Sequence, residues 1–272
     1  MFYQANENSV SINGINMSYV NFGYGKEVLV ILPGLVDGLK SVRGQAAVLA
    51  LSFRQLAKKF RVYVFSRKDE IEKSYTTKDM SKDQKLALDQ LGINQCYVMG
   101  VSQGGMIAQH LAIEYPHMVK KLILAVSTSR ASDVLCNVIH KWIGFAQEND
   151  YKSLIIDTLE KTYSPKKLKT YRLAYPIISR IGKPKNFDRF IIQANACLIH
   201  NTYNELDKIT CPTLIIGGDS DNVVGAAASP EMADNIPINH LLIYSGLGHA
   251  AYEEGKDFNN QVLDFLENRT FR

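Results

Sequence analysis

The sequence lacks most of the signals that would narrow its chemistry by composition alone. Its four cysteines, Cys96, Cys136, Cys197 and Cys211, have no paired spacing. That excludes a cysteine-based metal site and suits free thiols in a reducing compartment. No apolar run approaches the roughly 18 residues of a membrane span. No lysine or arginine precedes Lys26, so the basic start of a secretory signal is missing. The expectation is a soluble, cytoplasmic protein with no membrane partner. There is no His-x-x-x-His pair, no Walker loop and no G-x-G-x-x-G dinucleotide spacing. No metal and no cofactor are expected. A net charge of +4 is too mild to argue for nucleic acid.

What remains is an ordinary globular composition, 46% hydrophobic and 21% charged over 272 residues. That length suits one large α/β domain with an insertion, or two small domains. Residues 10–20 alternate around Asn13-Gly14 and predict a hairpin. Continuous apolar runs at 28–32, 62–65, 96–99, 122–126, 212–217 and 240–244 predict strands, several of them buried on both faces. Helical patterns separate them at 52–60, at 79–91 with Thr76 or Thr77 as cap, after Gly104, at 231–235 and at 256–269. Strands alternating with helices mean a mostly parallel sheet with helices on both faces.

The alternation breaks between residues 130 and 208, where there is no strand candidate. Helices are expected there at 133–148, 151–163, 166–181 and 187–201, the last with Asn186 as cap. The expected fold is α/β: an eight-stranded, mostly parallel sheet with an all-helical cap inserted after the sixth strand. The core takes residues 1–129 and 209–272, the cap 130–208.

One stretch organises the rest. Gly100-Val101-Ser102-Gln103-Gly104 lies between the 96–99 strand and the helical run that opens at Met106. A serine on so sharp a turn stands clear of the backbone, and glycines two residues either side avoid Cβ clashes. The following helix points its N-terminal N–H groups at the place where negative charge will develop. Such a serine needs a base, and the base needs a carboxylate to orient it. Two late strands supply both. Gly217-Gly218-Asp219-Ser220-Asp221-Asn222 follows one, offering Asp219 or Asp221, and Gly246-Leu247-Gly248-His249 follows the other. His110, His117, His140, His200 and His240 lie in helices, in a turn or at a strand start. Only His249 stands on a glycine-flanked loop after the last strand.

Pro33-Gly34-Leu35, the 100–105 elbow, Tyr115-Pro116 with 119–124, Cys211-Pro212-Thr213 through Asp221, and Gly246-x-Gly248-His249 together resemble the α/β-hydrolase superfamily. The resemblance is greatest to its small capped branch of esterases, lactonases and carbon–carbon bond hydrolases. It runs over about residues 28–266, with the cap matched only in position. It implies Ser102 as nucleophile, His249 as base and Asp221 as the orienting acid. It implies an oxyanion hole from the backbone N–H groups of Leu35 and Gln103. Pro33 departs from the pattern, since many relatives carry histidine there, but backbone donors survive a side-chain change.

The cap should set specificity. Trp142, Phe187, Phe190 and Leu198 are the candidates to line an apolar substrate pocket. Residues 161–185 hold eight basic residues and no acidic one, leaving the rest of the chain net acidic. That run is either a solvated face or a lure for anionic substrates. The expected activity is hydrolysis of a small or medium carboxylic ester through an acyl-enzyme. Lactone, thioester or carbon–carbon cleavage would use the same parts, and a ligand-binding signalling protein on this scaffold is the rival class.

Overall fold

The hairpin at Asn13-Gly14 opens the fold. Both turn residues take positive φ, 51° and 83°, as a two-residue hairpin turn requires. A computed structural model describes residues 2–269. The hairpin strands are β1 (Asn6–Ile12) and β2 (Ile15–Phe22), followed by β3 (Val28–Leu32), β4 (Arg61–Lys68), β5 (Cys96–Val101), β6 (Val119–Ala125), β7 (Thr213–Gly218) and β8 (Asn239–Tyr244). They form one eight-stranded sheet in the order β1-β2-β4-β3-β5-β6-β7-β8. β1, β2 and β4 pair antiparallel, and every later pairing is parallel.

The central strands alternate between two cores. Val30, Leu32, Val98, Leu122, Leu124 and Ile215 face one. Leu29, Ile31, Met99, Ile123, Leu214 and Ile216 face the other. Full burial of each such side chain stabilises the fold by about 1.5–3 kcal/mol. Helices α3 (Thr77–Gln90), α4 (Gln103–Glu114) and α9 (Ala228–Asn235) cover the first face. Helices α1 (Ala46–Ser52), α2 (Arg54–Ala57) and α11 (Phe258–Leu266) cover the second, with a single turn α10 (Ala251–Glu254) just before α11.

Local chemistry sets the ends. Thr76 and Asp79 form a reciprocal capping box on α3, and Pro116 stops α4 two residues beyond Glu114. Two helices differ from expectation. The helix expected at 52–60 begins at Ala46 and breaks at Phe53. Its first half exposes Val48 and Leu51, so the apolar periodicity that betrays a helix is blurred there. The terminal helix expected from residue 256 starts at Phe258, after the separate turn α10.

Between β6 and β7 run α5 (Asp133–Gln147), α6 (Tyr151–Thr162), α7 (Pro165–Ile178) and α8 (Asp188–Leu198). Ser132, Asp150 and Ser164 cap the first three. Asn186 is not the cap of α8. Phe187 holds that position and makes no side-chain cap bond. The two legs of this segment meet at a neck. Thr202 N–H donates to Ser129 C=O at 2.8 Å, and Arg130 and Asn201 form an antiparallel bridge.

Candidate active site

β5 ends in a turn that only glycines permit. A Cβ on Gly100 would lie 2.4 Å from the Gly104 carbonyl oxygen, and one on Gly104 would lie 1.8 Å from that of Leu32. Between them Ser102 takes φ 53° and ψ −120°, a left-handed geometry costly for any residue with a side chain. Hydrogen bonds hold it there. Ser102 N–H donates to Ala125 C=O at 2.9 Å, and its carbonyl accepts from Gly105 N–H at 2.8 Å. Ser127 Oγ adds a third bond, donating to that same carbonyl at 2.8 Å. The chain reaches Ser127 through Val126, itself at φ 46°, a rare conformation for a β-branched residue.

The loops after β7 and β8 bring two further groups to Ser102. His249 Nε2 lies 2.9 Å from Ser102 Oγ, and His249 Nδ1 lies 2.8 Å from Asp221 Oδ2. A carboxylate beside Nδ1 holds the proton on that nitrogen, which leaves Nε2 as acceptor for the serine hydroxyl. Asp221 and His249 are only 6% and 7% exposed. Burial alone would raise the Asp221 carboxyl. The charge and hydrogen bond of His249, with the N–H groups of Val223 and Val224 at 2.8 and 3.0 Å, outweigh it and hold the group below its ordinary value. Asp219 does something else. It is exposed and ties the turn by accepting from Ser220, Ser245 and the Gly246 N–H.

Leu35 opens a 3-10 turn (Leu35–Gly38) and Gln103 opens α4. A first helical residue has no intrahelical acceptor for its N–H, so both positions carry donors free to serve an anion. His200 is remote from this chemistry. Its Nδ1 faces Thr77 Oγ1 at 3.0 Å and its ring meets His110 edge-on. Burial, then the neighbouring His110, push it down to about 3.

Behind the loop of Pro33, Gly34 and Leu35 lies a buried polar cluster with no signature in the sequence. Arg67, at the end of β4 and 3% exposed, donates through Nη2 to Pro33 C=O at 2.7 Å and to Gln103 Oε1 at 2.9 Å. One nitrogen therefore ties the loop that carries Leu35 to the residue that follows Ser102. Gln103 Nε2 in turn donates to Gln193 C=O at 2.7 Å, on α8. Asp37 Oδ2 accepts from Arg189 Nη2 at 2.5 Å and from the Arg67 N–H at 3.1 Å. Burial would raise Asp37, but Arg189 and then Arg67 hold its carboxyl below the ordinary value.

The four candidates for pocket lining lie in or against one apolar cluster. Trp142, Phe187 and Phe190 are buried in an apolar cluster with Leu35, Met106, Val223 and Val224, and Leu198 packs on its edge. The Trp142 indole donates to Asp157 at 2.9 Å. A cavity of about 570 Å³ borders Pro33, Gly34 and Val101, and none of the four lines it. The apolar faces of α5 and α8 are taken up in packing against each other and against Leu35, Val223 and Val224. The basic stretch is mostly a solvated face, with Arg172 paired to Glu160 and Lys161 to Asp157.

Residues 27–256 match the family described as alpha/beta hydrolase fold. The chain belongs to the α/β hydrolases. A similar curated protein is a 2-hydroxy-6-oxononadienedioate/2-hydroxy-6-oxononatrienedioate hydrolase from Pseudomonas putida, 25% identical over 93% of this chain and 92% of its own. Among solved structures, the α/β hydrolase MGS-M2 from a Medee basin deep-sea metagenome library matches with a TM-score of 0.83 at 24% identity, covering 97% of this chain and 99% of that one. The enol-lactonase of Burkholderia xenovorans LB400 matches at 0.80 and 19%, covering 96% and 100%. Among the described residues of this α/β hydrolase, no cluster of His, Cys, Asp and Glu could hold a metal. No described helix is long and apolar enough to cross a membrane.

Proposed function

We propose that this α/β hydrolase cleaves a small or medium carboxylic ester by nucleophilic catalysis. The observation that carries the reading is the unbroken relay from Ser102 Oγ through His249 to Asp221. Ser102 Oγ forms a bond to the acyl carbon while its proton passes to His249 Nε2. The Leu35 and Gln103 N–H groups take the charge that develops on the carbonyl oxygen. The bond from carbon to the alkoxy oxygen then breaks, and His249 delivers the proton to the departing alkoxide. Water, deprotonated by His249, releases the acid and restores the serine. Asp221 keeps Nδ1 protonated and stabilises the imidazolium. The helices of residues 130–208 act as the cap over this site, and their basic outer face needs no substrate.

The curated relative's activity and the enol-lactonase likeness favour a second reading, a carbon–carbon bond or lactone hydrolase with the same nucleophile. A panel of p-nitrophenyl esters, lactones, thioesters and vinylogous 1,5-diketones, with Ser102→Ala as blank, separates the readings. Ester turnover should dominate. Ser102→Ala and His249→Ala should each lower kcat by several orders of magnitude, and the double variant should be hardly worse. Independent, multiplying losses would sink the assignment, and absence of any turnover would favour a ligand-binding role.

A further inference from the structure

The cavity behind the oxyanion loop lies on the side of the sheet away from α4, where its walls are unlike those of a surface dent. Ile31, Val64 and Val101, from three parallel strands, form the inner wall. Val42, Leu49 and Phe53, from the loop and helices after β3, form the outer one. These six side chains are apolar, Asp37, Gln45 and Asn259 also border the space, and the volume, about 570 Å³, falls within the range of small-molecule sites.

One end abuts the nucleophile. Gly34 lines the cavity, and a Cβ placed on it would lie 3.2 Å from Ser102 Cβ and 3.7 Å from Ser102 Oγ. Gly34, with no side chain of its own, stands between the serine hydroxyl and the cavity, and Val101, the residue before Ser102, lines the same end. The other end is rimmed by Lys40, Ser52 and Glu253, all exposed. On the opposite flank of the oxyanion loop, Leu35 is already packed against Phe190 and Trp142 in the apolar cluster of the inserted helices.

We propose that this cavity is the acyl site, and that the substrate carries a medium-length, unbranched apolar acyl chain. The inference rests on the reading of Ser102 as nucleophile. The leaving group has to stay beside His249 Nε2, which protonates it. The acyl group stays on Ser102 Oγ through both half-reactions, so a persistent slot beside Oγ serves the acyl group. The chain runs past Gly34, lies between the strands and α1, and its tail meets water at the Lys40 rim. An open far end sets no sharp upper limit on chain length.

The test fills the slot. kcat/KM is measured on p-nitrophenyl acetate, butyrate, hexanoate and octanoate for the wild type, Leu49→Trp, Val42→Phe and the control Leu51→Trp, whose side chain faces solvent on the same helix. In the wild type, octanoate should be preferred to acetate. The octanoate-to-acetate ratio should fall by about tenfold or more in both filled variants and hold in the control. An unchanged ratio in both overturns the proposal. So does a shift in alcohol preference across butyrate esters with the acyl profile fixed, which would give the cavity to the leaving group. Octanoate binding to Ser102→Ala by calorimetry keeps the two readings apart. If no ester is turned over, the ester reading fails. The cavity then stands if octanoate binds and adding Leu49→Trp abolishes it, and falls if octanoate does not bind or binds regardless.

Discussion

Two buried polar clusters flank Ser102, and they were unequally visible from the sequence. One is His249 with Asp221. The other is Arg67 with Asp37, Arg189, Gln103 and Gln193. Distance along the chain does not separate them. His249 stands 147 residues from Ser102, and Arg189 stands 152 from Asp37. The difference is where each residue stands. Asp221 and His249 occupy glycine-marked loops directly after strands, positions that topology sends to the same edge of the sheet. Arg67 opens a lysine-rich polar run, and Arg189 sits in the charged first turn of a helix, both of which look like solvated surface. Charge is a good indicator of exposure until the fold closes over it. The inserted helices close over these two arginines, and Asp37 lies between them.

The largest effect should come from the legible cluster. Asp221→Asn should lower kcat on the order of 10⁴-fold, because the amide favours the wrong imidazole tautomer. Asp219→Asn should leave kcat nearly untouched, since that side chain only ties a turn. Steady-state kinetics on the two variants decides it. A crippled Asp219→Asn beside a healthy Asp221→Asn would reverse the acid assignment.

The hidden cluster should come second. Arg67→Met leaves Pro33 C=O and Gln103 Oε1 without their donor and Asp37 with one cation fewer. Breaking a buried pair costs about 3–5 kcal/mol, readable as a lowered urea midpoint. Loosening both oxyanion donors should cut kcat about tenfold to a hundredfold with a smaller change in KM. A loss confined to KM would make the cluster part of substrate binding. A loss of stability with kcat intact would make it scaffolding.

The smallest effect concerns acid. His200 is buried neutral outside both clusters, and its value falls from 6.5 to about 3. The folded state therefore binds this proton more weakly than the unfolded chain does. The contribution is fully present above about pH 6.5 and declines as pH falls toward about 3. His200→Asn should remove on the order of a few kcal/mol of the stability lost between about pH 7 and about pH 4. Urea unfolding at both values measures it. An undiminished loss in the variant would place the acid sensitivity of this range on other groups, because the Asp37 and Asp221 carboxyls, held below their ordinary values, give up stability only below about pH 4.

The sheet and the contact of Ser102, His249 and Asp221 were legible because their signals are local. Apolar runs of strand length, an elbow bracketed by Gly100 and Gly104, and loops ending at Asp221 and His249 can each be read within a few residues. The inserted helices were legible as helices, through their apolar periodicity and the lack of any strand candidate, but not in what their apolar residues face. Phe190 has the same stripe pattern whether it faces a ligand or Leu35. The break of a helix at Phe53 was hidden because Val48 and Leu51 point to solvent, and the cavity that Phe53 borders was hidden with it. Periodicity identifies an apolar face and is silent on its partner.

Val126 and Ser127 bear on how such enzymes can be recombined. Inserted helices in a fold of this kind invite exchange between relatives, as a means of changing what an enzyme accepts while keeping its chemistry. Here the first two residues beyond β6 already belong to the Ser102 turn, since Ser127 grips the Ser102 carbonyl and Val126 supplies the bend that delivers it. A graft joined at the end of the strand would remove that grip along with the helices. Joined above the neck, where Ser129 meets Thr202, it would leave the elbow as found. The transferable unit in this protein is shorter than its helical appearance suggests, and its seam lies a few residues inside the inserted segment.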